Sequence, residues 1–217
     1  MEPSFVPNSV TSLELHTDTL HIAREYLPNN INKLRIKTGM LKYLTSFPQN
    51  LSSLSLEYAY SKCNNFAKLL PQKLTFLKLG NCSLHSKDDC NWTSYSESTG
   101  NCHIREEPNV CKCKSSYTSN INFKDGYLPN LKTLILVGTT YSGIEYLGFR
   151  SLDYLAVSCN FNTTEQDISF LDFVGELRLG MNFMGKISTS LPKKVKKLVL
   201  FCELKDDYIP EHVEELY

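Results

Sequence analysis

One short phrase recurs nine times along this chain of 217 residues. In seven copies an apolar residue and a proline come first, and aliphatic residues follow three and then two positions apart. Each copy has one central aliphatic residue, and these markers are Leu13, Leu34, Leu54, Leu77, Leu134, Leu155, Leu177, Leu198 and Leu216. Neighbouring markers lie 18 to 23 residues apart, except for the step of 57 residues between Leu77 and Leu134. A repeat of this period predicts a solenoid, because one unit cannot bury its apolar edge alone and stacked units bury it together.

The aliphatic spacing within each copy predicts a short strand. Leu34 and Ile36 are two residues apart, so they point to one side of an extended chain while Lys33 and Arg35 point to the other. The proline suits the turn before the strand, since it lacks the N–H donor that a central ladder needs. We therefore expect a strand-dominated α/β fold, a solenoid of about nine repeats with a parallel concave sheet and a convex side of irregular loops or short helical turns.

The repeats resemble a known family. The stretch LRLGMNFMGKISTSLPKKVKKLVL, from Leu177 to Leu200, is similar to an FNIP-type unit of the leucine-rich repeats. The residues that carry the resemblance are Gly180, Asn182, Phe183, Ile187, Leu191 and Pro192. The resemblance covers about four-fifths of the chain and implies a leucine-rich-repeat solenoid. By the same resemblance, such proteins often act as adaptors or substrate receptors.

The outward positions of the strands predict where a partner would bind. Charged residues dominate the first two strands, and aromatic or aliphatic residues gather in the middle of the array. Apolar groups exposed on a sheet face are typical of a protein-binding hot spot. The predicted partner-binding residues are Lys33, Arg35, Phe76, Lys78, Ile135, Val137, Tyr154 and Arg178. Alternatively, the long segment between the fourth and fifth repeats folds back over the sheet and covers these aromatic and aliphatic residues.

A cysteine-containing insertion, residues 83–126, interrupts a single solenoid that spans residues 1–217. Grouped thiolates and imidazoles can bind zinc, and the candidate ligands in and beside the insertion are Cys82, Cys90, Cys102, Cys111, Cys113, His85 and His103. Their spacing contains no Cys-x-x-Cys pair, which disfavours a structural zinc site. Free thiols are the favoured interpretation, with disulfides as a further alternative.

Composition and motifs argue against several classes of function. The formal net charge is zero and the pI is near 6.9. The chain as a whole therefore has no net positive charge that would attract nucleic acid. No phosphate-binding loop, nucleophile elbow or HExxH sequence is present. His16 with Glu14 is the nearest approach to a catalytic pair, and we interpret it as a surface pair. We expect no enzyme activity, no cofactor, no metal and no membrane insertion.

Met1 to Ser4 lack basic residues and no long apolar run follows them, so we expect no secretory signal and a cytoplasmic protein. The outward surface of the repeats predicts a protein partner. The alternative is a secreted or cell-surface ectodomain that binds a ligand, with disulfides and sugars on Asn50, Asn81, Asn91 or Asn162. The last repeat ends within a strand, so we also expect the chain to belong to a longer protein. The sequence leaves the oligomeric state open.

Overall fold

The structure is a computed structural model, and it describes residues 6–16, 27–36, 46–56, 66–80, 120–137, 140–158, 168–180, 187–201 and 208–217. Eleven strands form two sheets in this part of the chain. The large sheet contains β1 (Ser12–Leu15), β2 (Lys33–Ile36), β3 (Ser53–Leu56), β4 (Phe76–Leu79), β6 (Thr133–Val137), β8 (Ser151–Ser158), β9 (Phe173–Leu179), β10 (Val195–Leu200) and β11 (Val213–Leu216). The small sheet contains β5 (Asn120–Asn122) and β7 (Thr140–Ser142).

The large sheet confirms the predicted solenoid. Its nine strands are all parallel and follow chain order, with only β5 and β7 left out. All nine markers pair in one continuous register, from Leu13 opposite Leu34 to Leu198 opposite Leu216. The repeat period therefore translates directly into one strand per repeat.

A turn at the proline precedes most of the strands. The N–H of Ile31 donates to the carbonyl oxygen of Pro28 at 3.2 Å, and the same bond recurs after Pro7, Pro48, Pro71 and Pro210. The proline contributes its carbonyl oxygen to this bond, which does not use the N–H that proline lacks. The turn presents the first aliphatic residue of the repeat to the core.

The core is a continuous stack of aliphatic side chains on one side of the sheet. The interior markers are almost completely buried, and Leu54, Leu77, Leu134, Leu177 and Leu198 are each 0% exposed. Burial of one such side chain stabilises a fold by about 1.5–3 kcal/mol. Leu216 on the last strand is 53% exposed, since β11 has only one neighbouring strand. Burial in the array thus depends on having a repeat on each side.

The last residues of the predicted insertion belong to the folded body. β5 lies within residues 83–126 and pairs in parallel with β7. Phe123 is 0% exposed and stacks on Tyr141 of β7, with ring centroids 6.0 Å apart. The rest of the insertion, up to residue 119, lies outside the described residues.

Helical structure is short wherever the connections are described, as expected. The pieces are α1 (Phe66–Leu69), a 3₁₀ helix (Ile144–Leu147) and α2 (Ile187–Ser190). Glycines in the left-handed region flank the 3₁₀ helix, Gly143 with φ 74° and Gly148 with φ 87°. A Cβ atom on Gly148 would lie 2.5 Å from Cε2 of Tyr127, so this glycine also lets the tyrosine ring approach the backbone.

Candidate binding face

The sheet has a second face, directed away from the core, which we call the outer face. This is the face that the sequence predicts to be concave. Its side chains form two rows across the strands because the register is continuous. The first row runs Ser12, Lys33, Ser53, Phe76, Thr133, Tyr154, Glu176, Lys197 and Glu215. The second row runs Glu14, Arg35, Ser55, Lys78, Ile135, Ala156, Arg178 and Val199.

Three polar side chains form an exposed cluster at this end of the sheet: Glu14 on β1, His16 directly after β1, and Arg35 on β2. Oε1 of Glu14 lies 2.8 Å from Nε2 of His16 and 3.4 Å from Nη1 of Arg35. The three side chains are 41–60% exposed. Ion pairs this open to water stabilise a fold by only about 0–1 kcal/mol. The geometry agrees with the surface-pair interpretation of His16 and Glu14.

Small residues on β3 stand between long ones on both neighbouring strands. Ser53 and Ser55 form a low floor, which is partly exposed. The side chains bordering the floor are Lys33 and Arg35 on β2, and Phe76 and Lys78 on β4. Because strands are about 4.8 Å apart, the two borders lie about 10 Å apart. We call this feature the serine trough and define it by these six residues.

Apolar residues in the middle of the outer face are buried. Ile135 is 1% exposed and Ala156 is 0% exposed, although neither belongs to the core cluster. The sequence-based expectation that Ile135 contributes an exposed apolar group is therefore wrong. Larger side chains surround the small Ala156 on this face, since Ile135 and Arg178 flank it in its row and Tyr154 lies two residues before it.

The remaining aromatic positions of the predicted hot spot keep some exposure. Phe76 and Tyr154 are both partly exposed, while Lys78 is only 8% exposed. Val137 ends β6 opposite Ser158, and the prediction for its side chain lies outside the described part of the structure. The predicted binding residues thus share one face, but they do not form one open apolar patch.

A network of charged and aromatic side chains extends from β8 to Tyr217, which directly follows β11. Nε of Arg178 donates to Oε1 of Glu176 at 2.6 Å, and Nζ of Lys197 lies 3.4 Å from Oε2 of the same carboxylate. The Arg178 guanidinium carbon lies 5.6 Å from the centroid of the Tyr154 ring, and Nζ of Lys197 lies 4.9 Å from that of Tyr217. Both distances suit cation–π contacts. We call these five residues the tyrosine–cation cluster.

Two side chains of this cluster have shifted pKa values. Burial raises the pKa of the Tyr154 phenol to about 12, with a further increase from Glu176 and an opposing effect of Arg178. Burial also acts to raise the pKa of Glu176, but the hydrogen bonds and positive charges of Arg178 and Lys197 outweigh it and lower the pKa. Glu176 is therefore ionised at neutral pH, and it holds both cations in place.

The binding site predicted from the sequence includes Arg178 and Tyr154 but not Glu176 and Lys197, which belong to the same cluster. Glu176 and Lys197 occupy the first outward row, so their adjacency could have been derived from the repeat register. Tyr217 gave no comparable signal, because its ring contact depends on how β11 stacks on β10. The floor residues Ser53 and Ser55 were omitted because small polar residues carry no signal alone.

The predicted metal ligands cannot be placed. Cys82, Cys90, Cys102, Cys111 and Cys113 lie outside the described residues, as do His85 and His103. Within the described ranges, no three His, Cys, Asp or Glu side chains come together as a metal site would require. The zinc and disulfide alternatives therefore stay predictions.

Two further findings bear on function. In the described ranges, no helix combines the length and apolar character that crossing a bilayer requires. Comparisons with family models, curated proteins and solved structures gave no match to this chain. Its function has to be inferred from the residues of the sheet.

Proposed function

We propose that this chain is a leucine-rich-repeat scaffold that binds a partner protein through the outer face of its sheet. In this role it is an adaptor or substrate receptor in the cytoplasm, and it performs no catalysis. The observation that carries the proposal is the continuous register of the nine strands, which aligns outward side chains in two rows.

The composition of these rows supports protein binding. Tyrosine and arginine are enriched at protein interfaces, and both occur in the tyrosine–cation cluster. Side chains that are already held lose less conformational entropy when a partner binds. Arg178 is only 19% exposed and is fixed by Glu176, so it meets this condition.

The test is capture of a partner from extracts of the native host, with the full chain as bait. Three single variants sample the outer face: Lys33→Glu on β2, Phe76→Ser on β4 and Lys197→Glu on β10. Lys124→Glu is the matched control, because Lys124 is exposed and follows β5 of the small sheet. Circular dichroism spectra and melting temperatures establish that all four variants are folded.

We expect at least one outer-face variant to reduce capture about fivefold or more, which corresponds to about 1 kcal/mol. The control should capture the partner as the parent does. Equal capture by all four variants would place binding elsewhere on the chain and contradict the proposal.

A further inference from the structure

The two outermost strands of the large sheet, β1 and β11, have one neighbouring strand each in the described part of the chain, whereas every interior strand has two. A strand edge without a neighbour presents backbone N–H and C=O groups that another strand can bind. Because the nine strands are parallel and follow chain order, these two edges are not equivalent. The edge of β1 is the side on which an interior strand meets the preceding repeat, and the edge of β11 is the side on which it meets the following one.

One backbone contact recurs between neighbouring repeats. The N–H groups of Asn32 and Lys33 both donate to the carbonyl oxygen of Thr11, at 2.8 and 3.2 Å. The same paired bond is present at the next four junctions, with the carbonyl oxygens of Asn32, Ser52, Thr75 and Lys132 as acceptors. Each repeat therefore supplies two donors on one side and one acceptor on the other.

The two ends of the sheet expose complementary halves of this contact. The register places the carbonyl oxygen of Glu214 where the interior repeats have the acceptor. It places the N–H groups of Thr11 and Ser12 where they have the donors. In the large sheet as described, no strand lies beside either set of groups. The β11 end thus offers the acceptor, and the β1 end offers the two donors.

The aliphatic stack is also uncovered at the β11 end. Leu216 is 53% exposed, whereas Leu198, its register partner on β10, is 0% exposed. Leu13 is the marker of β1 and is partly buried against the core. A β1 strand placed beside β11 in the common register would bring Leu13 against Leu216, as Leu216 itself lies against Leu198. Apolar surface that is now in contact with water would be buried, which favours the contact.

Side-chain charges fit the same arrangement. In the first outward row, Ser12 would follow Glu215, and Lys33 would follow Ser12. Strands are about 4.8 Å apart, so Glu215 and Lys33 would stand about 10 Å apart across the short serine, a distance that their two side chains can span. Within the described ranges the Glu215 carboxylate accepts a hydrogen bond from Tyr217 and makes no ion pair. Glu14, the acidic residue of β1, belongs to the second row and is already paired with an arginine of β2.

We propose that this chain associates head to tail with a second copy, so that β1 of one copy pairs in parallel with β11 of the other. The N–H groups of Thr11 and Ser12 donate to the Glu214 carbonyl oxygen, and the aliphatic stack continues from copy to copy. This inference goes beyond the proposed function and does not depend on it. The contact is heterologous, so each copy keeps one free end and further copies can add.

Pairing of two β11 strands with each other fits less well. Antiparallel pairing of two such strands would bring Glu214 and Glu215 of one copy against the same residues of the other. Like charges directly opposite each other destabilise a strand pair. The head-to-tail arrangement avoids this repulsion, because β1 has uncharged Thr11 and Ser12 at the corresponding positions.

The experiment is sedimentation velocity of the full chain. One pair of short strands makes a small interface, so the association should be weak and should require a concentration series from about 1 μM to about 0.5 mM. The weight-average sedimentation coefficient should rise with concentration and pass the value of a dimer. Added salt should weaken the association, since it screens Glu215 from Lys33.

The first variant changes the uncovered end of the aliphatic stack. Leu216→Lys should weaken the association about tenfold or more, because a lysine on an edge strand opposes pairing with another strand. Tyr146→Lys is the matched control, since Tyr146 is 54% exposed but lies on the 3₁₀ helix, away from both outermost strands. The control should associate as the parent chain does. Circular dichroism spectra establish that both variants are folded.

The second set of variants tests the predicted charge pair. Lys33→Glu and Glu215→Lys should each weaken the association about threefold or more. The two changes combined in one chain restore opposite charges at the junction, so the affinity should return to within about twofold of the parent value. Lys124→Glu combined with Glu145→Lys is the matched control, because both residues are exposed and lie outside the large sheet.

Four outcomes would overturn the inference: a single monomeric species at every concentration, growth that stops at a dimer, equal association of the parent and Leu216→Lys, or no recovery in the combined charge variant. Growth that stops at a dimer would indicate symmetric pairing of two like edges. Partner capture at concentrations where the chain is monomeric tests the proposed function separately, so failure of one does not decide the other.

Discussion

The phenol hydroxyl of Tyr141 donates a hydrogen bond to the backbone carbonyl oxygen of Leu79, 3.2 Å away. Leu79 ends β4, just before the long interruption of the repeats, and Tyr141 stands in β7 beside the returning strand β5. Tyr141 is 0% exposed and also stacks on Phe123. One buried side chain therefore joins the chain on both sides of the interruption.

Removal of this hydroxyl should destabilise the fold. Tyr141→Phe keeps the ring but deprives the Leu79 carbonyl of this donor in a buried place, so the free energy of unfolding should fall by about 1–3 kcal/mol. Urea denaturation measures the change. Tyr127→Phe is the control, because Tyr127 is 53% exposed and its change should stay within about 0.5 kcal/mol. Equal stability of the two variants would show that the Tyr141 bond contributes little.

Gly148 should not tolerate a side chain. Its φ of 87° disfavours alanine, and a Cβ atom would lie 2.5 Å from the Tyr127 ring. Gly148→Ala should lower the free energy of unfolding by about 1–3 kcal/mol. Repetition in a Tyr127→Ala background removes the clash but leaves the backbone strain, so the cost should become smaller. An identical cost in both backgrounds would mean that backbone strain explains the whole effect.

Glu176 should contribute to stability in a pH-dependent way. Its pKa is lower in the folded protein than its ordinary value of 4.5. A lowered pKa means that the stabilising contribution is present above the unfolded-state value and is lost as the pH falls through the folded-state value. Glu176→Gln should therefore destabilise the protein at pH 7, by about 1 kcal/mol, and have a smaller effect in acid.

Unfolding free energies measured at several pH values between 7 and acid test this prediction. Glu211→Gln serves as the control, because Glu211 is exposed and does not belong to the tyrosine–cation cluster. A constant difference between the parent and Glu176→Gln across the pH range would contradict the role assigned to the ionised carboxylate.

Core substitutions should become less costly toward the end of the described array. Leu134→Ala, at a site 0% exposed in the middle of the sheet, should cost about 2–5 kcal/mol. Leu216→Ala should cost less than about 1 kcal/mol, since Leu216 is 53% exposed on β11. Thermal or urea unfolding of the two variants measures the difference. Similar costs would show that burial at Leu216 is greater than the structure indicates.

The sequence by itself determined the repeat architecture. Leu34, Leu54 and the other markers recur every 18 to 23 residues except across the one long interruption. The alternation of Lys33 and Arg35 with Leu34 and Ile36 indicates which side of the strand faces the core. Both signals are local, and parallel stacking of similar units leaves only one register that keeps the aliphatic residues together. The strands, their order and the outward rows followed from these signals.

Only the tertiary structure decided how distant residues meet. The Tyr141–Leu79 bond joins residues 62 positions apart, and β5 pairs with β7 although neither follows the repeat. Burial of Ile135 and the contact of Lys197 with Tyr217 likewise depend on neighbours in space. Periodicity assigns a residue to a face of the sheet, but its exposure and partners depend on the sizes and rotamers of the side chains around it, which local sequence does not encode.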